Sequence, residues 1–285
     1  MRCEICSSPT VSWVTVDGYT FERCPACKYT FLPTVYSRDH ALTIFNDRYF
    51  TDGGAGYPDY VCDEEIRRDN ASHYVEIVSR HCPPGSVLDI GAAAGFLLRE
   101  FINRGWSGIG LEPNASMARY ASTHLGVDVD IGTLEDHNFR RTFDLVTMIQ
   151  VIMHLYDVRR GLEVAARATA PGGYWLIEAP NAASLTARLL GRHWQEYTPP
   201  SVLRLFTPDN LRELVTDYGF VPVALGRPQK VVSWGHAQSL LAYKARAFHK
   251  APRQLLLRAS HLLPEAMHVR YHAEDLFWAL YRKNA

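Results

Sequence analysis

The sequence predicts an α/β fold: a mainly parallel sheet with helices on both faces. Three observations lead there. Short continuous apolar runs (SVLDI, GIGLE, FDLVTMI and YWLIEAP) alternate with helix-length amphipathic segments through the middle of the chain. Unbroken apolar runs, without period-two alternation, belong to strands covered on both faces. The first run also ends in an acid, Asp89, and passes directly into a turn of small residues, Gly91-Ala-Ala-Ala-Gly95. Such a turn lets backbone N–H groups approach a ligand, because no Cβ or only a methyl stands in the way.

Taken in order, the chain starts with four of its six cysteines, as Cys3-x-x-Cys6 and Cys24-x-x-Cys27 with 17 residues between the pairs. That is the spacing of a four-thiolate zinc ribbon, in which each pair supplies two ligands to a tetrahedron. Turn residues (Pro9, Asp17-Gly18, Pro25) around VSWVTV predict two knuckles joined by a short hairpin. Four thiolates leave no open coordination position, so the Zn2+ is expected to be structural, contributing about 10–16 kcal/mol of apparent folding free energy. Cys62 and Cys82 lack paired spacing and read as inert thiols. Residues 1–35 form this ribbon, and 36–69 a Tyr-rich linker placed to act as a lid, with Gly53-Gly54-x-Gly56 as hinges and Tyr49, Phe50 and Tyr57 as its aromatic content.

A helix is expected over 63–81, stopped by Cys82-Pro-Pro-Gly85, and SVLDI follows as the first strand. A helix over 95–104 closes at Gly105, GIGLE (108–112) is the second strand, and a helix over 113–125 ends at Gly126. VDVDI gives a third strand, 143–149 a fourth, 158–170 a helix, and the turn Pro171-Gly-Gly173 leads into YWLIEAP. Thr207 is a good N-cap with Pro208 at the first helical position and Gly219 after the last. FVPVAL and KVVSW read as closing strands, before a helical tail in which Ala237, Leu241, Ala245 and Phe248 recur at helical spacing. The expected divisions are a domain over 70–235, with a substrate-side insertion about 181–207, and a basic helical tail over 236–285.

A hydrophobic fraction of 47% and a formal net charge of zero describe an ordinary globular chain. Neutrality argues against nucleic acid as a main partner, which needs a basic footprint. No apolar run reaches about 18 residues, so no membrane span is expected. MRCEICSSPT lacks a basic-then-apolar leader, which makes cytoplasmic the expected location. From Arg227 onward ten Lys/Arg face three Asp/Glu. That face suits packing on the core, a dimer, a phosphate-bearing acceptor or peripheral contact with an anionic membrane.

Glu112 lies at the end of the second strand, 21 residues after Gly91. An acid there accepts both ribose hydroxyls of a nucleoside ligand. LDIGAAAGFLL, GLEPN, GTLEDHNF, FDLVTMIQVIMHL and APGGYWLIEAPN, in that order, resemble the successive motifs of class I S-adenosylmethionine (SAM)-dependent methyltransferases over roughly residues 70–225. The resemblance implies a Rossmann-like seven-stranded sheet with SAM as cofactor. It assigns Asp89, Gly91, Ala93 and Gly95 to the cofactor loop and Glu112 to the ribose. Leu134 and Glu135 fall beside the adenine, and Ile149 and Gln150 on the methionine side. Ala93 stands where the family usually has glycine. With the cysteine ribbon in front, the chain is similar to methyltransferases of sugar and surface-glycan biosynthesis, and 191–220 resembles their substrate-side insertion.

Methyl transfer to a hydroxyl needs a nucleophile held close and in line, and a base. His154, just past the fourth strand, aligns with a histidine common in the family, and His193 in HWQEY is a second candidate. Many relatives carry Glu-His where this chain has Met153-His154, and the missing carboxylate weakens carbanion chemistry more than hydroxyl chemistry. Glu196 and Tyr197 are candidates for binding acceptor hydroxyls, and Trp194 and Tyr57 for stacking on a sugar face. The expected activity is O-methylation of a sugar, nucleotide-sugar or glycan acceptor. The alternatives are C-methylation of a ketosugar, RNA methylation with the ribbon as a grip, and a catalytically silent interaction protein.

Overall fold

The computed structural model describes residues 1–34, 36–52, 56, 57, 59–234, 237, 238 and 268–284. The chain begins with the expected hairpin, β1 (Val11–Val16) and β2 (Tyr19–Arg23), turned through Asp17 and Gly18 at φ 48° and 83°. A two-residue turn of this hand matches the twist of its strands. β3 (Thr30–Phe31) pairs with β2 on one side and with Arg204–Leu205 on the other. The ribbon is too small for a core of its own and shares one: Cys3, Ile5, Cys24, Tyr29 and Phe31 pack in the same cluster as Phe206 and Leu211.

Two short helices, α1 (Arg38–Ile44) and α2 (Asp47–Thr51), precede α3 (Glu64–Ser79). The alternation then runs β4 (Ser86–Ile90), α4 (Phe96–Asn103), β5 (Ser107–Glu112), α5 (Ala115–Tyr120), β6 (Val129–Ile131), β7 (Phe143–Ile149), α6 (Val158–Ala168) and β8 (Thr169–Pro180). After α7 (Leu185–Leu190) and β9 (Arg204–Leu205) come α8 (Pro208–Thr216), β10 (Phe220–Gly226), β11 (Gln229–Ser233), β12 (His268–His272) and β13 (Leu276–Lys283). α8 carries the anticipated cap in full, a reciprocal box between Thr207 and Asn210.

Seven strands form one sheet in the order β10-β13-β8-β7-β4-β5-β6. The pairings from β8 to β6 are parallel, and β13 runs antiparallel to both of its neighbours. Successive residues of a strand point to opposite faces. Leu88, Val146 and Ile177 therefore meet Leu162, Ala165 and Leu214 on one side, while Val87, Leu145 and Leu176 meet Val75, Leu98 and Phe101 on the other. That two-sided burial is the physical reason the runs are apolar throughout.

The carboxyl end of the chain departs from expectation. LFWALYRK is not part of a helical tail but β13, inserted between β8 and β10 with Leu276, Phe277, Ala279, Leu280 and Tyr281 buried. KVVSW does supply a strand, β11, but it pairs antiparallel with β12 in a separate two-stranded sheet. Leu241, Ala245 and Phe248, which carried the helical spacing, lie outside the described residues, as do Gly53 and Gly54 of the expected hinge. Several cations of the basic stretch are engaged in the fold rather than spread on an open face. Lys230 meets Glu178, Arg270 meets Asp69, and Lys283 donates to the carbonyls of Ala166 and Thr169. Among the described residues, no helix is long and apolar enough to cross a membrane.

Candidate functional site

A cavity opens beyond the carboxyl ends of β4, β5 and β7, where parallel α/β sheets bind ligands. Its floor is the small-residue turn. The N–H groups of Gly91 and Ala92 donate to the Leu111 carbonyl at 2.8 and 3.1 Å, which folds the turn against β5. Gly91 sits at φ +69°, and a Cβ there would come within 2.5 Å of Val151 Cγ2, so glycine is required. Ala93 adopts φ +47°, a left-handed conformation costing a non-glycine residue about 1–2 kcal/mol. Its N–H then donates to Glu112 Oε2 at 2.9 Å, and the Asn114 N–H donates to Oε1 at 2.8 Å. Both carboxylate oxygens keep lone pairs for further donors, which fits the hydroxyl pair of a ribose. Burial pushes the Glu112 carboxyl up to about 7 in spite of these two donors.

Around this floor the other positions sort themselves. Asp89 lies beneath the turn rather than on the cavity wall, where burial pushes it up to about 7 and Thr147 Oγ1 donates to it at 2.6 Å. Gly95 ends the turn at φ +82° and starts α4. Leu134 and Glu135 line the cavity beside Gly132 and Thr133. Glu135 Oε1 accepts from the N–H groups of Tyr156 (2.7 Å) and Asp157 (3.3 Å), while burial raises its carboxyl to about 7. Ile149 and Gln150 line the opposite wall; Gln150 stands at φ +59° and donates to Glu178 Oε1 at 2.7 Å. Glu178 is wholly buried and also receives Lys230 Nζ at 2.7 Å and the Tyr74 hydroxyl.

His154 faces the same space. Its Nδ1 lies 2.7 Å from the Ser201 carbonyl, which can only accept, so Nδ1 carries the proton and Nε2 the free lone pair. Burial lowers its pKa to about 4, leaving the ring neutral at pH 7. Above it, Phe45, Tyr49, Phe50, Tyr57 and Tyr60 pack edge to face as a roof. The Arg67 guanidinium sits 4.5 and 4.4 Å from the Tyr57 and Tyr60 rings. Asn114 Nδ2 donates to Phe45 O and Asp47 Oδ1, each at 3.0 Å, and so fastens the roof to the turn after β5.

The remaining candidates stand elsewhere. His193 belongs to a short turn after α7, takes a bond from Arg192 Nε at 3.3 Å, and does not line the cavity. Trp194 is completely buried with its indole N–H donating to Asp275 at 2.9 Å. Tyr197 packs edge-on against Phe21 and Trp194 at 5.1 and 5.7 Å, and Glu196 is half-buried, outside the lining itself though its charge acts on Tyr49 of the roof. The insertion spends its aromatic residues on its own core, so of the acceptor candidates only Tyr57 reaches the cavity. Phe45, Tyr60, Val151 and Tyr156 line it without having been singled out. Asn114 was missed too, although an asparagine two residues after a strand-end acid is a legible helix cap, and its Oδ1 does accept from the Met117 N–H at 2.9 Å.

Where the ribbon packs on the domain the four predicted thiols converge. Cys3 and Cys27 Sγ are 3.5 Å apart, as are Cys6 and Cys24 Sγ, and all four lie within 4.8 Å of one another. Thiolates bound at about 2.3 Å around a tetrahedral zinc lie about 3.8 Å from each other, so the cluster fits that ion. The Ile5 N–H directed at Cys3 Sγ (3.4 Å) is the kind of donor that steadies a thiolate.

A family model described as a methyltransferase domain matches residues 63–225. A ubiquinone biosynthesis O-methyltransferase of Nitrobacter winogradskyi is 32% identical over 125 residues, covering 42% of this chain and 44% of that protein. The one of a Bradyrhizobium strain is 28% identical over 163 residues, covering 50% and 64%. The chain thus matches less than two thirds of the length of either relative. Among solved structures, a SAM-dependent methyltransferase of Archaeoglobus fulgidus superposes with a TM-score of 0.51 at 17% identity, covering 79% of this chain and 99% of that one. The YcgJ protein of Bacillus subtilis gives 0.51 at 18% identity, covering 75% and 98%; likeness at these identities concerns the fold. With the matched segment spanning α3 to β10 and enclosing the whole cavity floor, the chain belongs to the methyltransferase-domain family.

Proposed function

We propose that this domain methylates a hydroxyl of a small-molecule acceptor with SAM as donor, and that the four cysteines hold a structural zinc. One observation carries the reading: the positive-φ turn, the Glu112 carboxylate and the free Nε2 of His154 surround one roofed cavity. SAM, when bound, supplies an electrophilic methyl group on a sulfonium. Glu112 takes the ribose against the small-residue turn, Leu134 and Glu135 border the adenine, and Gln150 lines the methionine side. His154 Nε2 accepts the acceptor's hydroxyl proton while Ser201 holds the ring through Nδ1–H, and the aromatic roof keeps water out.

The walls narrow the acceptor. Among the described residues lining the cavity there is no lysine or arginine, and aromatic side chains make up much of the wall. Aromatic and aliphatic walls suit a flat ring or the apolar face of a sugar, and of the two we favour the ring. The relatives carry O-methyltransferase in their names, which supports oxygen as nucleophile. The experiment is incubation with isotope-labelled SAM and panels of phenolic, sugar and RNA acceptors, read by mass spectrometry with fragmentation. The expected product is a phenolic methyl ether. Methyl on carbon or RNA, or no binding of S-adenosylhomocysteine (SAH) by calorimetry, overturns the reading.

A further inference from the structure

We infer that Arg204 is a positioning residue through which the four-cysteine centre holds His154 in place. This deepens the reading above and rests on it, since it takes His154 as the base on the acceptor side. Arg204 lies on β9 and is only 7% exposed. Its guanidinium reaches in two directions. Nε meets Glu4 Oε2 at 3.3 Å, while Nη1 donates to the Leu155 carbonyl and Nη2 to that of Tyr156 at 3.4 Å. Those two carbonyls immediately follow His154 in the chain. Glu4 in turn stands between Cys3 and Cys6, accepts from the Tyr29 hydroxyl at 2.7 Å, and gives its carbonyl to Arg159 Nε at 3.0 Å.

The backbone around this side chain is cross-linked in the same sense. Leu203 N–H donates to Met153 O, and Leu32 N–H to Leu203 O, both at 2.9 Å, so one strand joins the ribbon to the residue before His154. The same segment supplies the Ser201 carbonyl that fixes the imidazole tautomer. Asn210 Nδ2 adds a bond to the Cys27 carbonyl at 3.1 Å. By contrast, the bonds that shape the cofactor floor run among Gly91, Ala92, Ala93, Leu111, Glu112 and Asn114, with no member in the ribbon. The centre therefore bears first on the His154 segment; toward the cofactor it reaches Glu135, whose Oε1 accepts from the Tyr156 N–H, rather than Glu112 and the turn. A planar guanidinium suits this role because its donors form a rigid fork, whereas a lysine at 204 has a single head for three acceptors.

The test uses the full-length, zinc-loaded protein as wild type, Arg204→Lys and Arg204→Gln, and wild type stripped of zinc by a chelator under reducing conditions. The His154 imidazole is followed by nitrogen-15 NMR, assigned by its loss in His154→Gln, and SAH binding by calorimetry on the same samples. Expected in Arg204→Gln and in the stripped protein is loss of the single Nδ1–H tautomer and a titration midpoint moving up toward the free-histidine value near 6.5. Arg204→Lys is expected to fall between, and SAH affinity to stay within about threefold of wild type throughout. An unchanged His154 signature in Arg204→Gln and in the stripped protein overturns the inference. So does loss of SAH binding together with the signature, which makes the contact a general support of the fold. Failure of wild type itself to bind SAH strikes the proposed function instead.

Discussion

Glu112 is the residue whose chemistry is most open to measurement. Burial holds its carboxyl near 7, well above an ordinary glutamate, so near neutrality the site without ligand is partly protonated. In the proposed role the ribose hydroxyls donate to its ionised form, so binding draws off a proton and weakens as pH falls through that value. SAH is expected to bind about tenfold more tightly at pH 8 than at pH 6, with the slope abolished in Glu112→Gln, as calorimetry across that range will show. For His154 the direction is opposite: burial keeps the ring neutral to well below pH 7, and His154→Gln should lower kcat by about 10²–10⁴-fold while SAH affinity stays near wild type. At this scale the sequence was legible where chemistry is tied to a strand end. Gly91 and Glu112 are fixed by spacing along two adjacent strands. His193, Trp194 and Tyr197 were not, because residue type alone does not say which way an irregular insertion turns its side chains.

At the scale of elements, the roof formed by α1, α2 and the segment after them hangs on Asn114. One amide caps α5 through its oxygen and holds Phe45 and Asp47 through its nitrogen. Two variants separate the roles. Asn114→Asp keeps the capping oxygen and loses the donors, so faster amide hydrogen exchange over 38–52 with little change in melting temperature is expected. Asn114→Ala loses both and should cost about 0.5–2 kcal/mol in addition. The parallel strands and the cap of α8 were readable because each leaves a local mark: an apolar run, or Thr-Pro before a helix. The roof is held by contacts between segments far apart in sequence, for which no local pattern exists.

Over the whole molecule, the sheet is completed by β13, which the sequence disguised. LFWALYRK offers no turn signal or alternation to separate it from the helical periodicity upstream, and its strand character comes from the slot between β8 and β10. Leu280 is fully buried there. Leu280→Ala is expected to cost about 2–5 kcal/mol in denaturant unfolding. Metal analysis of reductively purified protein should find one zinc per chain, and its removal should lower the melting temperature, since the ribbon shares its core with the domain.

The late place of β13 in the chain has a consequence for biosynthesis. Every described residue that lines the cavity has been translated by Tyr156, yet β8 keeps an unpaired edge until the ribosome has released residues 276–283. A nascent chain paused after β10 therefore exposes an open strand edge beside Phe220, a template for pairing with another chain. Slow translation through the segment before Leu276 should lower soluble yield, and holding chaperones that cover such edges should restore it.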